Sequence, residues 1–118
     1  MKKISIIGAG TMGNGIAQVF AMNNYHVNLI DLNSNSLTNA INRITTNLDR
    51  MIKRDVISSD QKTATLDNIS TSTDINNAKS SDLVIEAVTE NIKVKMKIFT
   101  QLDEICSSET ILATNTSS

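Results

Sequence analysis

The sequence predicts an α/β fold, a doubly wound parallel sheet with helices on both faces. Segments typical of strands alternate with segments of helical period along the whole chain, and this order makes successive strands parallel through right-handed crossovers. Most strand segments are short and β-branched, as expected for a sheet that is buried on both faces. The first strand runs into a glycine-rich turn that opens a helix.

The first part of the chain predicts a strand, a helix and a second strand. Residues 4–7 are short, β-branched and end at a glycine, which indicates a buried strand. Residues 12–23 predict a helix with one apolar face, formed by Ile16, Val19 and Phe20. Residues 26–30 predict the second strand, which stops before an acidic residue.

The next part predicts two helices. A long helix over residues 36–54 begins after Ser34 or Asn35, either of which can cap it. Its apolar residues recur at spacings of three and four, the clearest helical period in the chain: Leu37, Ile41, Ile44, Leu48, Met51 and Ile52. A short helix follows over residues 59–66.

The last part predicts three strands and one helix. Residues 69–73 form a polar strand, which indicates an edge of the sheet, and residues 83–88 form a buried strand that should neighbour the first one. Residues 110–114 form the final strand. The helix over residues 91–106 should turn one face to the core, made of Ile92, Met96, Phe99, Leu102 and Ile105.

Length and composition describe one ordinary globular domain. The 118 residues are 40% hydrophobic and 19% charged, with a net charge of −1, so electrostatics give no reason to expect nucleic acid or an anionic membrane as a partner. No apolar stretch approaches the roughly 18 residues that cross a bilayer. The single cysteine, Cys106, and the lack of a signal-peptide pattern fit a cytoplasmic protein. No metal site is predicted.

A glycine motif carries the strongest functional signal. Residues 8–13 read Gly-Ala-Gly-Thr-Met-Gly, with the spacing G-x-G-x-x-G between the first strand and the first helix, and Asp31 follows 18 positions after Gly13 at the end of the second strand. Together these features are the dinucleotide-binding fingerprint of a Rossmann-type sheet. Gly8 makes the tight turn, Gly10 lets a diphosphate approach the backbone, and Gly13 lets the helix pack closely on the sheet.

The fingerprint predicts NAD as the cofactor. The free N–H groups and partial positive charge at the helix N-terminus suit phosphates. The Asp31 carboxylate can accept hydrogen bonds from a ribose diol, and it would repel the 2′-phosphate of NADP. The alternative is a glycine turn that binds nothing. Gly15, inside the helix, could serve a close contact with the sheet or with a ligand, and the sequence leaves this open.

Three further motifs occur along the chain: EAVTEN at residues 86–91, KVK at 93–95 and ATNTSS at 113–118. Together with GAGTMGNGIA at residues 8–17, they resemble the NAD-binding domain of the 3-hydroxyacyl-CoA dehydrogenases, and above all the bacterial 3-hydroxybutyryl-CoA dehydrogenases. The resemblance runs from the first residues to the last, with the motifs in the family's order. It implies that residues 1–118 are a Rossmann NAD-binding domain, truncated before its final strands.

The resemblance also implies site residues. Asp31 would bind the adenosine ribose, Glu90 and Lys95 would lie by the cofactor, and Ser117 would contact both nicotinamide and substrate. The diphosphate would be held by the glycine loop: Gly8, Ala9, Gly10, Thr11, Met12 and Gly13. For Glu90, favourable charge at a helix N-terminus is an equal alternative, and for Lys95 the default is a solvated helix face.

In this family the region of the long second helix forms an arm that touches coenzyme A. The resemblance therefore implies an acyl-CoA substrate, such as acetoacetyl-CoA or 3-hydroxybutyryl-CoA. The basic end of the helix, Arg50, Lys53 and Arg54, could meet the phosphates of the coenzyme. A solvated helix C-terminus is at least as good an alternative.

The family's reaction is reversible hydride transfer between NAD and a 3-hydroxyacyl-CoA. Its base is a histidine oriented by a glutamate, and both would lie beyond Ser118. The chain's one histidine, His26, starts the second strand, so it should lie at the opposite edge of the sheet from the cofactor, partly exposed and structural. We therefore expect the NAD-binding portion of a larger enzyme, without catalytic residues of its own and without the helical domain through which this family forms homodimers.

The sequence leaves two alternatives open. The chain could be a stand-alone nucleotide-binding module without catalysis. It could also belong to an NAD-dependent dehydrogenase of another hydroxyacid, although the NTSS motif at residues 115–118 argues against this.

Overall fold

The computed structural model describes residues 3–87, 92–106 and 110–114. Strands and helices alternate, as predicted. A 3-10 turn, Ile75–Ala78, lies between the third and fourth strands. The remaining elements, in chain order, are β1 (Lys3–Ile7), α1 (Thr11–Met22), β2 (His26–Ile30), α2 (Ser34–Lys53), α3 (Ser59–Asp67), β3 (Ile69–Ser72), β4 (Leu83–Glu86), α4 (Ile92–Ile105) and β5 (Ile111–Thr114).

The five strands form one parallel sheet in the order β3-β2-β1-β4-β5. β1 lies in the centre, where Ile7 pairs with Ile30 of β2 on one side and with Glu86 of β4 on the other. The strand order therefore reverses between β1 and β4, which is where ligands bind in doubly wound sheets. The polar strand β3 lies at an edge, as its composition predicted.

Two layers of helices cover the sheet, each over its own apolar cluster. On one face, α1 and α2 pack on β1 and β2, with a core of Ile4, Ile6, Val27, Leu29, Leu37, Ile44 and Leu48. On the other face, α4 and the 3-10 turn pack over a smaller core of Ile7, Ile30, Ala78, Val84 and Leu102. The period that predicted α2 is confirmed, since Leu37, Ile44 and Leu48 are buried.

The apolar face predicted for α1, formed by Ile16, Val19 and Phe20, is not the face that packs most closely on the sheet. Val19 is 59% exposed, and the residues that α1 buries are small or polar: Gly13, Asn14, Ala17 and Ala21. Val19 lies two positions from Ala17 and from Ala21, about 200° around the helix, so it cannot share their face. Small residues let α1 approach the sheet closely, and Ile16 and Phe20 pack only along the margin of the core.

Three other local predictions are also corrected. Met96 is 66% exposed, while Leu102 is buried; six residues turn a helix by about 600°, which leaves the two side chains about 120° apart. α2 is capped by Asn33, not by Ser34 or Asn35, because the helix begins at Ser34. β4 ends at Glu86, and residue 88 of the predicted strand lies outside the described residues.

Candidate functional site

The glycine loop between β1 and α1 is a tight turn at the carboxyl edge of the sheet. Gly8 has a φ of 108°, which disfavours any side chain, and its N–H donates to the Ile30 carbonyl at 2.7 Å. A Cβ on Gly13 would stand 1.8 Å from the Gly8 carbonyl oxygen. Both positions therefore require glycine for conformation and packing alone, as the motif predicted.

Gly10 differs from these two because the space beside it is open. A Cβ at this position would meet no atom of the described residues within 4 Å. Gly10 is the N-cap of α1 and provides no side-chain acceptor for the first-turn N–H groups, whereas Asn33 and Ser58 cap α2 and α3. The start of α1 therefore combines N–H donors without a side-chain cap, the positive end of the helix dipole and room for an anion.

The carboxylate of Asp31 faces this loop. Its Oδ2 accepts a hydrogen bond from the Ala9 N–H at 2.9 Å, and its Oδ1 accepts one from the Asn33 N–H at 2.9 Å. An ionised carboxylate has about four acceptor positions, so it can still receive hydroxyl groups. The sequence indicated a ribose contact for Asp31, but it gave no sign that the same residue ties β2 to the glycine loop.

A cleft of about 470 Å³ opens beside Asp31, between the carboxyl edge of the sheet and α4. Most of its wall is apolar, with Asp31 as its acidic group. Its lining residues include Ile7, Gly8, Ile30, Asp31, Leu32 and Ile98. Such a cleft suits a flat apolar ring whose polar substituent reaches the carboxylate.

On the other side of the loop, a polar groove of about 350 Å³ lies between α1 and α2. We call it the α1–α2 groove; it is lined by Thr11, Asn14, Asn42, Arg43, Thr46, Asn47 and Arg50. The Arg43 guanidinium donates to the Thr11 hydroxyl at 2.9 Å and so reaches the first residue of α1. The sequence does not single out Arg43, because this residue stands in the middle of a helix and outside every motif.

A family model for the NAD-binding domain of 3-hydroxyacyl-CoA dehydrogenase matches residues 3–118. The chain belongs to this family. The resemblance seen in the four sequence motifs is thereby confirmed, and the family indicates NAD as the cofactor.

The names of two relatives agree with this family membership. The 3-hydroxyadipyl-CoA dehydrogenase of Escherichia coli is 40% identical over 118 residues, which are 100% of this chain and 25% of that protein. The 3-hydroxybutyryl-CoA dehydrogenase of Clostridioides difficile is 36% identical over 116 residues, or 98% of this chain and 41% of that protein. The chain thus spans well under half the length of these relatives.

Solved structures show the same fold. The crystal structure of (S)-3-hydroxybutyryl-CoA dehydrogenase from Ralstonia eutropha matches with a TM-score of 0.96 and 39% identity. The match covers 100% of this chain and 42% of that one. The Rossmann-type sheet with its flanking helices is therefore confirmed as the fold of this NAD-binding domain.

Of the other predicted site residues, some lie outside the described residues and others lie at the end of α2. Glu90 and Ser117 lie outside the described residues, and Lys95 lies in α4, of which only the backbone is described at that position. Lys53 ends α2 and Arg54 follows as its C-cap, both exposed. Ten residues separate Arg43, which reaches the glycine loop, from Lys53, about 15 Å along the helix.

Other polar and small residues fall outside the candidate site. His26 is exposed and pairs with Lys3 at the amino edge of the sheet, opposite the glycine loop, as expected. Cys106 is half-buried, its thiol donates to the Ala78 carbonyl, and burial raises the pKa of that thiol. A Cβ on Gly15 would meet no described atom within 4 Å, so a close contact of Gly15 with the sheet is excluded among the described residues.

Within the three described ranges, no helix combines the length and the hydrophobicity that crossing a bilayer requires.

Proposed function

We propose that this chain binds NAD as the cofactor domain of a complete NAD-dependent 3-hydroxyacyl-CoA dehydrogenase. The observation that carries the proposal is the meeting of Asp31 with the glycine loop at the point where the strand order reverses. That arrangement offers an acidic acceptor beside an uncapped helix N-terminus. Family membership of residues 3–118 and the names of the relatives support the same activity.

The described residues fit the parts of NAD in order. The diphosphate is assigned to the loop from Gly8 to Gly13, including Ala9, Thr11 and Met12, because Gly10 leaves space there and the α1 N–H groups have no side-chain cap. The adenosine ribose is assigned to Asp31. The adjacent apolar cleft suits the adenine ring.

When NAD is bound, its nicotinamide ring supplies the hydride acceptor for the alcohol, or the donor for the ketone. The residues of this chain bind and orient the cofactor. By family resemblance, we assign Glu90 and Lys95 to the cofactor and Ser117 to the nicotinamide and the substrate. The base that takes the hydroxyl proton is assigned to the family's histidine outside this chain, since His26 lies at the opposite edge.

The substrate proposed for the complete protein is a 3-hydroxyacyl-CoA, such as 3-hydroxybutyryl-CoA, or acetoacetyl-CoA in the reverse direction. The names of the relatives support this class. Lys53 and Arg54 form an exposed basic end of α2 that can receive phosphates of the coenzyme. A homodimer formed through the helical domain and a cytoplasmic location belong to the same proposal and come from the family resemblance.

The complete protein tests the proposal directly. With acetoacetyl-CoA and NADH, the absorbance of NADH at its reduced-nicotinamide band should fall in step with ketone reduction. Free acetoacetate and 2-oxoacids are the controls for another hydroxyacid dehydrogenase. Binding of NADH without turnover of any acyl-CoA would favour the stand-alone nucleotide-binding module, and turnover of a free acid would favour the other enzyme class.

A further inference from the structure

We infer that Arg43 and Asn14 form a phosphoryl-binding subsite in the α1–α2 groove, next to the glycine loop. The inference rests on the proposed function, because that function supplies two phosphoryl ligands: the diphosphate of NAD and the phosphates of coenzyme A. It adds two side chains, one of them charged, to a site otherwise built from backbone N–H groups.

Arg43 brings a positive charge to the start of α1. Its Nη1 lies 2.9 Å from the Thr11 hydroxyl, and Thr11 is the first residue of the helix whose N-terminus has no side-chain cap. The guanidinium has five N–H donors, and the Thr11 contact uses one. The other donors form a planar fork that suits phosphate oxygens.

No carboxylate of the described residues neutralises this charge. The groove lining contains a second arginine, Arg50, and otherwise only amide and hydroxyl side chains. The nearest acidic residue along α2, Asp49, forms an ion pair with Lys62 at 2.6 Å. The groove is therefore a cationic surface with open donors, which favours an anionic ligand.

Asn14 provides the second, independent observation. It lies one turn after Thr11 on the same face of α1, lines the groove and is 5% exposed. Its Nδ2 atom is buried and has no hydrogen-bond acceptor among the described residues. A buried amide donor without an acceptor is destabilising and rare, so the Asn14 side chain is expected to turn this donor toward an acceptor that enters the groove. Arg43 is exposed and Asn14 is buried, and both line the groove, so the two donors differ in their access to solvent.

The test measures ligand affinity in the complete protein with Arg43→Gln and a control, Lys79→Gln. Both variants remove one exposed positive charge, but Lys79 follows the 3-10 turn and lies outside the lining of the α1–α2 groove. We expect Arg43→Gln to weaken phosphoryl binding about 10-fold at low salt and Lys79→Gln to weaken it less than 3-fold. The Arg43 effect should shrink as sodium chloride rises, because the charge is exposed.

Three ligands distinguish the source of the phosphoryl group: NADH, coenzyme A and inorganic diphosphate. A loss of affinity for NADH alone assigns the subsite to the cofactor. A loss of affinity for coenzyme A alone assigns it to the substrate. Either result supports the subsite. Asn14→Asp, which replaces the amide donor with an anion, should weaken the same ligand as Arg43→Gln. Circular dichroism checks that each variant is folded.

Equal effects of Arg43→Gln and Lys79→Gln would overturn the assignment, since they would indicate only general electrostatic attraction. Unchanged affinity of Arg43→Gln for all three ligands would overturn it as well. If the wild-type protein binds neither NADH nor coenzyme A, the proposed function fails. The diphosphate titration then decides the subsite by itself, because it compares wild type with Arg43→Gln for an anion that needs neither nucleotide.

Discussion

The Asp31 carboxylate and the Ala9 N–H are joined by a hydrogen bond of 2.9 Å across the carboxyl edge of the sheet. This bond couples the end of β2 to the glycine loop that follows β1. A second hydrogen bond, from the Asn33 N–H, holds the other carboxylate oxygen. These two hydrogen bonds hold the Asp31 carboxylate in place. The carboxylate is therefore preorganised for a ligand that contacts both Asp31 and the glycine loop.

We expect Asp31→Ala to lower kcat/KM for NADH about 100-fold in the complete protein. The change removes the assigned ribose acceptor and the two acceptors of the Ala9 and Asn33 N–H groups, and hydrogen bonds to a charged group are worth about 1.5–3 kcal/mol each. Activity with NADPH should fall less, because the repelling charge is lost too. Asp31→Asn, which keeps the shape and one acceptor oxygen, is the control. A wild-type preference for NADPH would contradict the role of Asp31.

Gly10→Val should abolish NADH binding while the protein stays folded. The Cβ of the new side chain meets no described atom within 4 Å, but the valine occupies the space assigned to the diphosphate. Gly15→Ala is a matched control, since Gly15 also lies on α1 with no described atom within 4 Å of a Cβ. It should keep NADH affinity and stabilise the helix by about 1 kcal/mol. Calorimetric affinity of Gly10→Val equal to that of wild type would refute the diphosphate assignment.

Gly13→Ala should destabilise the fold itself. Its Cβ would stand 1.8 Å from the Gly8 carbonyl oxygen, a backbone atom that cannot move aside without shifting the loop. We expect a loss of about 3 kcal/mol in the free energy of unfolding, the upper range for overpacking. Urea unfolding followed by circular dichroism measures it. A loss below about 0.5 kcal/mol would show that α1 packs less closely than described.

Asn33→Ala should lower the free energy of unfolding by about 1 kcal/mol, because its side chain accepts hydrogen bonds from the Asn35 and Ser36 N–H groups at the start of α2. Asn35→Ala is the control. It alters an asparagine two residues away that does not act as the cap, so thermal unfolding should change little. A larger fall in the unfolding temperature for Asn35→Ala than for Asn33→Ala would show that Asn35 caps α2, as the sequence suggested.

His26→Gln should leave kcat/KM of the complete protein within about twofold of wild type. His26 is exposed and pairs with Lys3 at the amino edge of the sheet, away from the glycine loop, so it cannot reach the reacting hydroxyl. General acid–base catalysis contributes about 10²–10⁴-fold where it operates. A loss of that size in His26→Gln would therefore place a second functional centre at the amino edge.

The sequence by itself determined the fold class and the glycine loop to which the dinucleotide is assigned. Strand and helix periods are local properties, and the apolar spacing of α2 correctly predicted the burial of Leu37, Ile44 and Leu48. The glycine spacing is local as well, because the φ of Gly8 and the approach of Gly13 to Gly8 arise within one turn. Asp31 was recognised as part of the fingerprint from its spacing, 18 positions after Gly13 and at the end of a strand.

Only the tertiary structure decided which helix faces are exposed and which residues far apart in the sequence are in contact. Val19 and Met96 are apolar and helical, yet they lie exposed because the helix rotation set by packing on the sheet turns them away from it. The bonds Asp31–Ala9 and Arg43–Thr11 join residues 22 and 32 positions apart. No local pattern encodes such pairs, since they form only after the sheet aligns β1 with β2 and α1 packs against α2.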